Sequence, residues 1–62
     1  MNNARKLRNL YRYTQKDVSQ KINYPRPLYQ AFENGKYGIP DDKLQLLAKL
    51  YNVSEDYILN KK

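Results

Sequence analysis

The chain has 62 residues, enough for one domain, and a domain this small buries only ~60 % of the surface that its unfolded chain exposes. It contains no cysteine and no histidine, which excludes disulfide staples, Cys/His zinc sites, thiol nucleophiles and acid–base schemes built on imidazole. Its formal net charge is +6, and it has neither the apolar run of a signal peptide nor the ~20 apolar residues of a membrane span, so a soluble cytoplasmic protein in a reducing compartment is expected.

Taken in order, the hydrophobic pattern is helical in period throughout. Ala4, Leu7, Leu10 and Tyr11 recur at three- and four-residue steps and predict a first helix from about residue 2 to 12. Thr14, with Asp17 three residues on, is a capping-box signature for a second helix with Val18 and Ile22 on its buried stripe. Asn23 can close that helix because Asn tolerates the left-handed conformation. Tyr24 to Pro27 form a turn, and Pro27 is compatible with the first turn of a third helix from about residue 26 to 34. Tyr29, Phe32 and Glu33 share one face of that helix, Pro27, Gln30, Ala31 and Asn34 the other, and Gly35 stops it. Asp41 and Asp42 suit the positive end of a fourth helix, whose core stripe is Leu44, Leu47, Ala48 and Tyr51. Ser54 caps a short fifth helix, with Val53 and Ile58 as a hydrophobic staple. The expected fold is therefore all-α, a five-helix bundle forming one domain over residues 1–62.

Charge is distributed unevenly along this plan. Before residue 41, eight Lys and Arg face only Asp17 and Glu33, whereas the four Lys that follow, including the Lys61–Lys62 tail, are matched by four acids. An excess confined to one part of the chain suits a surface that meets a polyanion, although basic residues also serve simply to keep a small protein in solution. Residues 14 to 36 combine two short helices joined by a tight turn, basic residues at the helix starts such as Lys16, and an outward face on the third helix expected to carry no charged or large apolar residue. Such a helix pair serves DNA-binding proteins and plain helical bundles alike, while helix starts offer free amides to phosphate.

Leu7-Arg8, Thr14-Gln15, Glu33-Asn34-Gly35-Lys36, Ala48-Lys49 and Val53-Ser54, in register from about residue 4 to 59, resemble the Cro/repressor-type (XRE-like) helix-turn-helix family of phage and bacterial regulators. The resemblance implies a lambda-repressor-like bundle in which helices 2 and 3 form the helix-turn-helix and helix 3 docks in the major groove of double-stranded DNA. It implies a phosphate contact from Gln15, backbone contacts from Asn34 and Lys36, and an internal ion pair between Arg8 and Glu33. It places base reading at Arg26, Pro27, Leu28 and Ala31, with Gln30 beside them on the outward face. Arg26 is the clearest reader, through a bidentate contact to guanine, while Leu28 or Ala31 could touch a thymine methyl. Pro25 stands where the family has a Ser or Thr cap, and Arg12 where it has a turn glycine.

Among the aromatics, Tyr13, Tyr29 and Tyr51 fall on core positions, whereas Tyr24 and Tyr37 flank helix 3, where a hydroxyl could reach phosphate or face water. Leu46 and Leu50 lie off the helix 4 core stripe. They either broaden the core or join Tyr57 and Leu59 in a partner-facing stripe, which would let a homodimer set two helix 3 copies ~34 Å apart. The expected function is a transcriptional regulator, a repressor, that binds duplex DNA as a homodimer. The alternative is a protein-interaction module, antirepressor or antitoxin-like, to which the weak hydrogen-bonders Pro25, Pro27, Leu28 and Ala31 would be suited. No residue presents itself as nucleophile, general base or metal ligand; no enzyme, cofactor, membrane or small-molecule substrate is expected.

Overall fold

A computed structural model describes residues 2–61; Met1 and Lys62, the ends of the expected domain, lie outside the described residues. Among them are five helices and no strand: α1 Ala4–Leu10, α2 Gln15–Lys21, α3 Arg26–Glu33, α4 Asp41–Tyr51 and α5 Glu55–Leu59. None is long and apolar enough to cross a membrane. The chain folds as the all-α bundle that its period demands, with α2 packed on α3 and α4 on α5.

Helix starts follow local chemistry. The Thr14 hydroxyl accepts a hydrogen bond from the Asp17 amide (3.0 Å) and the Asp17 carboxylate accepts one from the Thr14 amide (2.9 Å), which completes the capping box. The Ser54 hydroxyl accepts from the Tyr57 amide at 3.1 Å. At α3 and α4 the cap positions are Pro25 and Pro40, which give no side-chain hydrogen bond; their carbonyls begin the helical ladder instead.

Helix ends share one device. Arg12, Asn23, Gly35, Asn52 and Asn60 each follow a helix with φ between 54° and 79°, in the left-handed region. The amide after each one reaches back five residues: Tyr13 to Arg8, Tyr24 to Ser19, Lys36 to Ala31, Val53 to Ala48 and Lys61 to Asp56, at 2.9 to 3.1 Å. This closure satisfies carbonyls that the helix itself leaves unpaired. Arg12 occupies such a position without glycine's freedom or asparagine's local hydrogen bonding.

The core gathers Ala4, Leu7, Val18, Ile22, Tyr29, Phe32, Leu44, Leu47, Tyr51 and Ile58, with Tyr13, Ala48 and Val53 half-buried against it. The first helix departs from its expected pattern. It is shorter at both ends than residues 2 to 12, and Leu10 is 72 % exposed instead of lying on the buried stripe. The reason is Arg8, which takes the inward edge of α1 to reach a buried acid and so turns Leu10 to solvent. Tyr11 is partly exposed as well, its ring 5.0 Å from that of Tyr51 and its hydroxyl donating to the Tyr51 carbonyl (2.9 Å).

Both ends of the described chain are tied down. The Asn3 amide donates to the Ile58 carbonyl (2.8 Å) and its side chain to that of Tyr57 (2.7 Å). The Asn2 side-chain amide donates to the Phe32 carbonyl (2.8 Å), which brings the start of α1 to the end of α3.

Candidate nucleic-acid interface

The site is built around Glu33, whose side chain is fully buried at the last turn of α3. Arg8 grips it in a fork, Nε to Oε2 and Nη2 to Oε1, both at 2.9 Å, while Nη1 donates to the Tyr13 carbonyl at 3.1 Å. Arg5 adds a longer contact from Nε to Oε1 (3.3 Å), and the Gln15 side-chain amide donates to the same oxygen at 3.4 Å. Helix α1 and the start of α2 are thus fastened to the end of α3 through a single carboxylate. Burial, the largest single influence, pushes the Glu33 carboxyl up, but the hydrogen bonds and charge of Arg8 together with the Tyr29 and Gln15 donors outweigh it and hold the group below its ordinary value. The same contact raises the Arg8 guanidinium.

Two buried tyrosines lie against this charge. The Tyr29 and Tyr51 hydroxyls have no hydrogen-bond partner among the described residues, though the Glu33 charge acts on Tyr29. Burial, reinforced by Glu33, raises Tyr51 to about 12 and Tyr29 further still.

Glu33 organises the residues expected to touch phosphate. Gln15 sits half-buried on the first turn of α2 with its donor end toward Glu33, so it is less free than an exposed phosphate ligand. One N–H of that amide stays uncommitted, and the neighbouring backbone amides of Gln15 and Lys16 have no intrahelical acceptor. Lys16 is exposed beside it. Asn34 caps α3, exposed, its Oδ1 accepting from Arg5 Nη2 at 2.8 Å, and its amide N–H groups have no partner among the described residues. Beyond the left-handed Gly35, Lys36 and Tyr37 are exposed, Tyr37 by 71 %. Tyr24, on the other flank, is half-buried against the core.

The face of α3 opposite Tyr29, Phe32 and Glu33 carries the expected readers. Arg26, Pro27, Leu28 and Gln30 are exposed, and Ala31 is half-buried in their midst. Arg26 and Pro27 are the first two helical residues, a turn or more from the Glu33 cluster. Leu46 and Tyr57 are each about two-fifths exposed, whereas Leu50 and Leu59 are half-buried against the core; these two serve packing first.

Sequence reasoning does not single out Arg5. The signal is present, because Arg5 and Arg8 are three residues apart and share a helix face. What cannot be read is that one buried acid serves both.

Comparison with known proteins shows the family. The family described as Helix-turn-helix matches residues 5–58. An uncharacterized HTH-type transcriptional regulator, YobD of Bacillus subtilis (strain 168), is 40% identical over 55 residues, which are 89% of this chain and 49% of that protein. The HTH-type transcriptional regulator ImmR of the same organism is 44% identical over 50 residues, 79% of this chain and 39% of its own length. The chain therefore spans half or less of the length of these relatives. No solved structure gives a significant match.

Proposed function

The chain belongs to the Cro/repressor-type (XRE-like) helix-turn-helix family, and from that premise we propose that it binds double-stranded DNA and regulates transcription as a repressor. Helix α3 enters the major groove, with Gln15 and Lys16 at one side and Asn34, Lys36 and Tyr37 at the other gripping the phosphate backbone. The observation that carries this reading is the Glu33 cluster. It fixes Gln15 and Asn34 around one end of α3 and leaves Arg26, Pro27, Leu28 and Gln30 outward on the same helix. Phosphate contacts position a protein on the duplex and base contacts specify where. The cluster supplies the first function, and Arg26, with Leu28 and Ala31 against thymine methyls, supplies the second. A homodimer with Leu46 and Tyr57 in its interface presents two copies of α3 to a palindromic site. Occupied by such a dimer, a promoter is closed to polymerase.

Titration of labelled duplex DNA at rising salt tests the reading. Binding is expected at low salt, with the logarithm of the association constant falling linearly by ~0.9 per phosphate neutralised. A chain that leaves duplex DNA unshifted at low salt refutes the proposal. Arg26→Ala should relax selectivity at one base position, at a cost of ~1–3 kcal/mol at the preferred site.

A further inference from the structure

We infer that Arg5 is a phosphate-binding residue of the docking surface and that it also orients the donors of Asn34; this rests on the duplex-DNA reading above. Two guanidinium groups address a single carboxylate, and among the described residues no other acid pairs with either. Arg8 already satisfies Glu33 through a two-pronged contact at 2.9 Å and is only 15% exposed, so it neutralises the buried charge. The cluster is left with one positive charge too many. That charge resides on Arg5, whose side chain is 53% exposed and whose contact to Glu33 is the longer one at 3.3 Å. An uncompensated, accessible guanidinium held in place is the electrostatic form of an anion site.

The hydrogen bonds point the same way. Of the five N–H donors of a guanidinium, Arg5 uses one on Glu33 and one on Asn34, so three remain. Arg8 spends three donors on Glu33 and the Tyr13 carbonyl, inside the fold. The bond from Arg5 Nη2 to Asn34 Oδ1 (2.8 Å) occupies the one acceptor of that amide side chain. Both of its N–H donors stay without a partner among the described residues on an exposed side chain, and a phosphate oxygen needs donors and not a lone pair. Arg5 is not drifting over this surface. The Asn2 bond to the Phe32 carbonyl fastens the start of α1 to the residue before Glu33. Arg5 and Asn34 therefore form one composite phosphate grip, with charge from α1 and amide donors from the end of α3.

Fluorescence anisotropy with labelled duplex DNA over a range of KCl tests this, using the wild type, Arg5→Gln, Arg5→Lys, Asn34→Ala and the Arg5→Gln/Asn34→Ala double variant. Arg5→Gln is expected to make the salt dependence shallower by about 0.9 in log–log slope, the amount that one phosphate contributes when a cation neutralises it. Arg5→Lys keeps the charge and so the wild-type slope, but binds more weakly at every salt because an ammonium lacks the planar fork that orients Asn34. Asn34→Ala weakens binding without changing the slope, and the double variant loses less than the product of the single losses. Thermal melts of each variant exclude unfolding, since Arg8 still neutralises Glu33. A steep wild-type slope left unchanged by Arg5→Gln overturns the inference while the duplex-DNA reading stands. A wild type that does not bind duplex DNA at low salt overturns both.

Discussion

Glu33 and the two tyrosines near it give this small fold its pH limits. A carboxyl held low in the folded state adds stability above its unfolded value, ~4.3, and that stability is lost as pH falls through the folded value. Tyr29 and Tyr51 behave oppositely, because burial keeps their protons on in the fold while the unfolded chain loses them above pH ~10. Stability should therefore form a plateau from roughly pH 5 to 9 and then fall by ~1.4 kcal/mol per pH unit for each buried tyrosine. Urea denaturation followed across pH measures both limbs. Tyr51→Phe is expected to halve the alkaline slope and also removes a buried hydroxyl that has no partner. Glu33→Gln should weaken the acid limb and cost ~3–5 kcal/mol at neutral pH, since it leaves the Arg8 charge buried and unpaired. An alkaline limb indifferent to Tyr51→Phe would show that the hydroxyl is not shielded as described. Glu33 is legible in the sequence as a position, on the inward face of the third helix. Its chemistry is less so, because a buried acid in a sequence does not announce how many partners it has. For that reason the family resemblance pairs Arg8 with Glu33, while Arg5, one turn before it, carries no mark of its role.

At the level of the helices, the sequence is explicit wherever a local rule decides. Thr14 with Asp17, Ser54, Asn23 and Gly35 all mark helix ends from their side chains or backbone freedom alone: Thr14 and Ser54 cap helix starts, and Asn23 and Gly35 take the left-handed position just past α2 and α3. Helix α1 is less legible, because its inward edge is chosen by Arg8 reaching across the fold, a tertiary demand that hydrophobic period cannot register. Arg12 is the informative cap. At φ 61° it holds a conformation that costs a residue with a Cβ ~1–2 kcal/mol, part of which glycine's larger loss of chain entropy returns. Arg12→Gly should therefore stabilise the fold by up to ~1 kcal/mol, or ~4–8 °C in Tm for a domain of this size. Gly35→Ala should do the reverse, because its φ of 79° is strained for alanine although nothing lies within 4 Å of the added carbon. Paired thermal melts of the two variants check both signs; a loss at position 12 would mean that the Arg12 side chain contributes more than its backbone costs.

Size bears on how the whole molecule would read DNA. Its longest extent is 28 Å, shorter than the ~34 Å that separates equivalent major-groove faces one turn apart, so on the proposed reading one copy would span one half-site. A palindromic operator thus calls for two copies. Leu46 and Tyr57 are the apolar side chains that α4 and α5 leave most exposed, so they are the ones to test. Sedimentation equilibrium should show the wild type approaching twice its monomer mass at high concentration, and Leu46→Lys with Tyr57→Lys should return it to monomer. A wild type that stays monomeric, and that binds a palindromic duplex one to one, contradicts the proposed dimer. Residues 50 and 59 are poor places for such charges, because both side chains pack on the core.

The seam that Asn3 makes with Tyr57 and Ile58 has a mechanical consequence. Tension applied across the two ends of the described chain would bear on that pair of hydrogen bonds and on the Asn2 contact to Phe32. The five-residue helix α5 would peel away next, drawing Ile58 out of its pocket. The Asn2 contact would pass load at the same time to the end of α3, beside Glu33. Stretched in this way, the molecule feels the pull at the junction of α1 and α3, which is also where the proposed phosphate grip sits.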